Sequence, residues 1–209
     1  MTKPTSAETE RIRDLYNAEA SGYDREIAFF EKVLFAGGRE WVCSRASGGV
    51  LELAAGTGRN FAYYPADVRL TAIELSPAML ELARRRALDA GRQVDLRVGD
   101  AQALQFPDES FDTVTCTLAL CTIPDDRAAV AEARRVLRPG GRLLLLEHVR
   151  SPRRTIRAAQ RLLDPLAVRI KGDHIAREPL EHLTAEHFAI DELQRSKLGI
   201  VERIEARKL

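Results

Sequence analysis

A glycine turn is the first feature of the sequence with an evident chemical use. The turn Gly56-Thr57-Gly58 follows the apolar run VLELAA, which predicts a β-strand. Glycine allows a sharp turn and a close approach of backbone to ligand, and open α/β sheets bind ligands where their strands end. We therefore expect a ligand at this turn. Glu52, within the run, could accept hydrogen bonds from a cationic group of that ligand, directly or through water.

Carboxylates end the next two predicted strands. Glu74 ends the second strand, where a carboxylate can accept hydrogen bonds from both hydroxyls of a ribose. Leaving such a buried acceptor unpaired costs about 1–3 kcal/mol, which is enough to select for a ribose. The third strand ends in Gly99-Asp100-Ala101, where the acid can receive an adenine amino group and the small residue leaves room for the ring.

Residue 61 bears on which nucleoside ligand is bound. Dinucleotide-binding turns read G-x-G-x-x-G/A, with a small residue at the third glycine position. Phe61 stands there in this chain, so the turn lacks the usual pyrophosphate fingerprint. Glu74 by itself is compatible with NAD or with S-adenosylmethionine. An NAD-dependent oxidoreductase therefore stays open as an alternative at this point.

The elements that position these residues alternate in type from residue 50 onward. Strands are predicted at 50–55, 68–75, 94–100, 111–120 and 142–149, and helices at 77–91 and 126–138. Such alternation predicts βαβ units and a parallel sheet with right-handed crossovers. The segments FAIDELQRS and GIVERIEARK, with a short turn containing Gly199, predict a closing antiparallel hairpin. The predicted fold class is α/β: a Rossmann-like, seven-stranded, mostly parallel sheet with helices on both faces.

The N-terminal region precedes this alternation. Residues 1–46 are predicted to form a helical cap, with helices over 8–20 and 22–36 and a short helix around Trp41. Apolar residues at helical spacing in the second helix, including Phe29 and Phe30, are predicted to pack in the core rather than touch substrate.

Residues 47–209 are predicted to form the main domain, with residues 151–187 as a helical lid inserted into it. From Arg153 to Lys171, arginines are interspersed with leucine, isoleucine and valine. A basic amphipathic helix can lie on an anionic membrane. We favour the simpler interpretation, in which the apolar face of this helix packs on the core and the arginines are solvated. Peripheral membrane contact remains the alternative.

The composition of the 209 residues excludes several classes of protein. The net charge is +1 and the arginines are mixed with acids, so no nucleic-acid partner is expected. The three cysteines give no disulfide framework or zinc spacing, and the four histidines are scattered, so no metal site is expected. The polar N-terminus and strand-sized apolar runs predict a cytoplasmic chain. We expect a monomer or a homodimer.

Four stretches carry a family resemblance: ELAAGTG, IELSPAML, GDAQALQFPDESFD and RRVLRPGGRLLLLEH. In this order and spacing they resemble class I S-adenosylmethionine-dependent methyltransferases of the ubiquinone/menaquinone type. The resemblance implies that S-adenosylmethionine is the cofactor, with its methionine side at the glycine turn, its ribose on Glu74 and its adenine at Asp100. The implied cofactor residues are Glu52, Ala54, Gly56, Gly58, Glu74, Leu75, Asp100, Ala101, Thr117 and Leu118. Ala54 replaces the usual first glycine, which is tolerable if its backbone angles are ordinary.

Further stretches narrow the subgroup. NFAYYP, CTLALCTI, EHVRSP, RLLDP and HIARE are similar to alkyl-thiol methyltransferases of the methyltransferase-like seven group. Soluble bacterial phosphatidylethanolamine N-methyltransferases resemble the same stretches less tightly. The resemblance implies a small, apolar or lipid-like acceptor, with a thiol as first choice and a lipid amine or a quinone ring carbon as alternatives.

The acceptor decides whether the enzyme needs a base. A thiol, with a pKa near ~8.5, is partly ionised at neutral pH, whereas an alkyl amine near ~10.4 must lose a proton. His148, which follows the fifth strand, and Tyr23 are the predicted catalytic or acceptor-orienting residues. Asp173 and His174, in the predicted lid, are further candidates.

Overall fold

The predicted seven-stranded sheet is present in the computed structural model, which describes residues 6–209. The strands are β1 (Gly49–Leu53), β2 (Arg69–Glu74), β3 (Val94–Val98), β4 (Phe111–Thr117), β5 (Leu137–His148), β6 (Phe188–Ser196) and β7 (Val201–Lys208). Their order across the sheet is β3-β2-β1-β4-β5-β7-β6. The first five strands pair in parallel, and β7 runs antiparallel to both β5 and β6. The α/β fold class predicted from the sequence is confirmed.

In the described part of the chain, six α-helices surround the sheet: α1 (Ala7–Val33), α2 (Gly38–Cys43), α3 (Pro77–Asp89), α4 (Asp126–Val136), α5 (Arg154–Lys171) and α6 (Pro179–Ala185). Ser76 caps α3 by accepting a hydrogen bond from the Met79 N–H, and Pro77 occupies its first turn, as the sequence predicts. None of the helices within residues 6–209 is long and apolar enough to cross a bilayer.

The core has two layers because β5 alternates its side chains between both faces of the sheet. Leu143 and Leu145 pack with α4 on one face, and Leu144 and Leu146 pack with α2 and α3 on the other. Burial of each such leucine stabilises the fold by about 1.5–3 kcal/mol. A sheet buried on both faces leaves its carboxyl edge as the place for a ligand.

The N-terminal region differs from the prediction of two separate helices. Ala7–Val33 is one continuous helix that passes through Gly22. A glycine costs a helix only about 1 kcal/mol relative to alanine, too little to break one that has other contacts. Residues 1–5 of the predicted cap lie outside the described residues, and its boundary at residue 46 stays a prediction.

The prediction that Phe29 and Phe30 pack in the core is wrong. Their exposed fractions are 67% and 51%. The buried side of α1 is formed instead by residues nearer its start, such as Ile12 and Ala20.

The preferred interpretation of α5 is also wrong. Its leucines and isoleucine do not pack on the core, because every residue of α5 is at least partly exposed. The inward side of the helix includes the half-buried Ile156, Ala167 and Val168 and is fixed by polar contacts. Gln160 donates to the carbonyl oxygens of Val149 and Ile175, at 2.9 and 2.8 Å. These contacts fix the helix with its apolar side turned outward.

Candidate active site

A cavity lies at the carboxyl ends of β1, β2, β3 and β4, beneath α1. Seven of the ten predicted cofactor residues line it: Ala54, Gly56, Glu74, Leu75, Asp100, Ala101 and Leu118. They come from four separate loops that only a parallel sheet brings to one edge. Tyr23 of α1 lines the same cavity, so the structure brings one of the two predicted catalytic residues to it.

Glu74 is fixed by the glycine turn. Its Oε2 accepts a hydrogen bond from the Gly56 N–H at 2.9 Å, and its Oε1 accepts one from the Ser76 N–H at 2.8 Å. Burial raises the pKa of this carboxyl above its usual range, and the backbone N–H groups oppose that rise. Each oxygen of a carboxylate has a further lone pair, so the group can still accept from two hydroxyls.

Asp100 and Ala101 form the neighbouring wall. Asp100 Oδ1 accepts hydrogen bonds from both the backbone N–H and the side-chain amide of Gln102, each at 2.9 Å. Ala101 is buried, and its small side chain leaves the cavity open beside the acid. This arrangement can receive a flat ring that carries a hydrogen-bond donor.

Ala54 does not have ordinary backbone angles. Its φ is +50°, in the left-handed region, and Leu118 across the cavity has a φ of +55°. This conformation costs a residue with a side chain about 1–2 kcal/mol. The condition under which alanine is easily tolerated at position 54 is therefore not met, and two strained residues line the cavity wall, as is frequent at functional sites.

Three predicted cofactor residues lie outside the cavity wall. Gly58 packs on Phe61, because a Cβ on Gly58 would lie 2.5 Å from the phenyl ring. Glu52 and Thr117 are buried below the turn, where Asn60 donates to Glu52 Oε1 at 2.8 Å and contacts Thr117 Oγ1 at 2.9 Å. Glu52 Oε2 has no hydrogen-bond partner within residues 6–209, and burial raises the pKa of this carboxyl to about 7.

α1 forms the roof of the cavity through polar contacts. Asn17 Oδ1 accepts from the Ser76 hydroxyl at 2.7 Å. Asp24 accepts from the Thr57 hydroxyl at 2.6 Å and forms an ion pair with Arg86. The helix is thus tied to the glycine turn and to the loop after β2, which are two of the four loops that line the cavity.

Tyr16 and Tyr23 project from α1 into the cavity wall. They are seven residues apart, which places them on one side of the helix, and their rings make an edge contact with centroids 6.2 Å apart. Burial raises the pKa of Tyr23 to about 12, so its phenol is a hydrogen-bond donor and not a base at neutral pH. Sequence reasoning missed Tyr16, although its seven-residue spacing from Tyr23 was a usable signal.

His148 pairs with Asp173 beside Cys121. His148 Nε2 lies 3.1 Å from Asp173 Oδ1, and one ligand atom from each of the three residues lies within 4.8 Å of the others. Burial alone would lower the pKa of His148, but Asp173 outweighs it and holds the pKa above its usual range. Burial raises the pKa of the Cys121 thiol, which keeps it protonated. The structure therefore brings two predicted candidates, His148 and Asp173, together.

Two further residues complete the description of this region. His174 points elsewhere, with its Nδ1 3.9 Å from Asp164 Oδ2.

Glu147, which sequence reasoning missed, accepts from the backbone N–H groups of Ala119 and Leu120 at 3.0 Å each. It thereby fixes the loop that links the cavity to Cys121. A carboxylate inside an apolar strand, LLLLEH, was its signal in the sequence.

Comparison with known proteins identifies the family. The family described as "Methyltransferase domain" matches residues 51–145. Demethylmenaquinone methyltransferase of Tropheryma whipplei is 34% identical over 197 residues, an alignment that covers 88% of this chain and 80% of that protein. The chain belongs to the class I S-adenosylmethionine-dependent methyltransferases. This membership decides against the oxidoreductase alternative, in agreement with Phe61.

Relatives within this methyltransferase family differ in acceptor. Thiol S-methyltransferase TMT1B of Rattus norvegicus is 34% identical over 152 residues, which cover 69% of this chain and 62% of that protein. The chain spans about half to three fifths of the length of three such relatives. A solved structure, geranyl diphosphate C-methyltransferase of Streptomyces coelicolor in complex with S-adenosyl-L-homocysteine, shares the fold with a TM-score of 0.75 at 15% identity; the alignment covers 99% of this chain and 100% of that one.

Proposed function

We propose that this chain transfers a methyl group from S-adenosylmethionine to a small, apolar acceptor, with a thiol as first choice. The observation that carries the proposal is the cavity in which Glu74, Asp100 and the glycine turn converge beneath two tyrosines. S-adenosylmethionine supplies an activated methyl group on a positively charged sulfur. The residues of the chain then have to bind the cofactor and the acceptor, orient them toward each other and exclude water.

The residues present fit this cofactor. Among residues 6–209, no heavy atom other than those of Gly56 and its two chain neighbours lies within 4 Å of the position that a Cβ on Gly56 would take, so the turn is open toward a ligand. Glu74 would hold the ribose, and Asp100 with Ala101 the adenine. Glu52, with its unpartnered oxygen, lies below the turn, and a cationic group above it would favour the ionised form of this carboxyl. Leu118 would orient the cofactor by packing.

We infer that His148 is the base that deprotonates the acceptor. Asp173 raises the pKa of the imidazole, which makes it a stronger proton acceptor when it is neutral. A thiol loses its proton more readily than an amine, so a histidine is sufficient for it. Tyr23 would orient the acceptor by donating a hydrogen bond, because its phenol keeps its proton.

The alternatives concern the acceptor alone. A lipid amine would need a stronger base than an imidazole, or a site that keeps the amine neutral by desolvation. A quinone ring carbon stays open because the Tropheryma whipplei relative is named for a demethylmenaquinone.

One experiment separates these acceptors. The purified chain is incubated with S-adenosylmethionine and with a short alkyl thiol, phosphatidylethanolamine or a reduced demethylated quinone, and methylated product is measured by mass spectrometry. We expect product from the thiol. Product from the amine or the quinone alone would overturn the thiol assignment. Failure to bind S-adenosylhomocysteine in calorimetry would overturn the cofactor site.

A further inference from the structure

The outward side of α5 is an apolar strip. Leu162, Leu163, Leu166 and Ile170 have exposed fractions of 81%, 52%, 56% and 54%. At 3.6 residues per turn, these four positions fall within less than a third of the helix circumference. A contiguous patch of large apolar side chains on a protein surface marks an interaction site.

The inward side of α5 explains why this strip faces solvent. Besides Gln160, Asp164 accepts from the Ala176 N–H at 3.2 Å. Lys171 at the end of the helix donates to Glu19 at 2.7 Å and to Glu26 at 2.9 Å. These polar anchors hold the helix from behind, so the apolar side cannot turn toward the core without breaking them.

Arginines border the strip. Arg154, Arg161 and Arg169 fall along one edge of it by helical spacing, and Arg153 and Arg157 lie at the start of the helix. Within residues 6–209, none of these five arginines has a carboxylate oxygen within 4 Å, although most other arginines of the chain form ion pairs. Positive charge left unpaired beside apolar side chains is complementary to a surface that is both anionic and apolar.

The exposed end of α1 extends this surface. Phe30 and Val33 lie four and seven residues after Glu26, on the side of α1 that reaches Lys171. They and Phe29 are at least 46% exposed. Phenylalanines therefore continue the apolar surface next to the end of α5, in a position suited to the boundary between lipid headgroups and acyl chains.

We propose that α5 lies in the headgroup region of an anionic lipid membrane, with its apolar strip toward the acyl chains and its arginines on lipid phosphates. A second copy of the chain fits this surface poorly in an antiparallel twofold contact through the strip, because that contact would bring identical arginine edges close together. The proposal is independent of the acceptor assignment. It places Asp173, two residues after α5, and hence the His148 pair close to the membrane surface.

The test is sedimentation of the full chain with vesicles of phosphatidylcholine alone, or with about 30% phosphatidylglycerol added. We expect binding to the anionic vesicles that falls steeply as salt is raised. The double variant is Leu162→Ser/Leu166→Ser and the triple variant is Arg154→Gln/Arg161→Gln/Arg169→Gln. The affinity of each for the anionic vesicles should be lower by a factor of about ten or more. Leu88→Ser, at a residue 74% exposed on α3, is the matched control and should bind like the original chain.

Two further measurements keep the outcome clear. Affinity for S-adenosylhomocysteine should be the same in all four proteins, which shows that the variants are folded. Light scattering should give the same mass for the original chain and the Leu162→Ser/Leu166→Ser variant. No binding to anionic vesicles, or equal binding by that variant, overturns the proposal. A dimer that the double serine variant dissociates would assign the strip to contact between copies instead.

Discussion

The cofactor cavity and the His148–Asp173 pair, which is the proposed acceptor side, are built in different ways. On the cofactor side, Glu74 is held by backbone N–H groups of loops that leave the central strands. On the acceptor side, His148 is held by one side chain, Asp173, at the end of the inserted helix α5. A hydrogen bond from a backbone N–H is kept when the side chain of that residue is substituted. An interaction between two side chains is lost when either residue is substituted.

The largest effect should come from the acceptor side. His148→Gln removes the proton acceptor but can still contact Asp173 by a hydrogen bond. We expect kcat/KM for a thiol to fall about 100-fold at neutral pH, the lower range for loss of a general base, with affinity for S-adenosylhomocysteine unchanged. Steady-state kinetics and calorimetry check this. His187→Gln, in the turn between α6 and β6, is the control, and equal losses in both variants would remove the base assignment.

The cofactor side should respond in binding rather than in turnover. Glu74→Ala leaves the backbone N–H groups of Gly56 and Ser76 without their acceptor and removes the ribose contacts. Affinity for S-adenosylhomocysteine should fall tenfold or more, at least about 1.4 kcal/mol. Calorimetry measures it, with Glu81→Ala on the exposed side of α3 as control. An unchanged affinity would mean that ribose is bound elsewhere.

The pH dependence of turnover sharpens the comparison. The neutral imidazole is the active form, so the rate with a thiol should rise with pH through the pKa of His148, which Asp173 holds above the usual value of ~6.5. Asp173→Asn removes the negative charge that favours the protonated form, so the midpoint should move to lower pH. A rate profile at saturating cofactor measures both. A midpoint that does not move would show that Asp173 acts structurally.

The cofactor side was predictable because its signals are local. A glycine turn, an acid at each strand end and the alternation of strands and helices all lie within short stretches of chain. Parallel pairing then brings them to one edge without further information. Gly58 was assigned to the ligand because the sequence does not reveal that its space is filled by Phe61.

The acceptor side and α5 were predictable only in part. The helical spacing of the leucines correctly indicates an amphipathic helix, but it does not say which side faces inward. That choice depends on Gln160, Asp164 and Lys171, whose partners are distant in sequence or lie in irregular segments. The same holds for the His148–Asp173 pair, since 24 positions separate its members along the chain.

The smallest expected effect tests whether the backbone on the cofactor side is strained. Ala54→Gly relieves the left-handed conformation, and the gain is partly offset by the greater freedom of glycine in the unfolded chain. We expect the free energy of unfolding in urea to rise by about 0.5–1 kcal/mol. Ala55→Gly, next to it and without a positive φ, should lower that free energy instead. If both substitutions lower the free energy of unfolding by the same amount, the left-handed conformation of Ala54 is not strained.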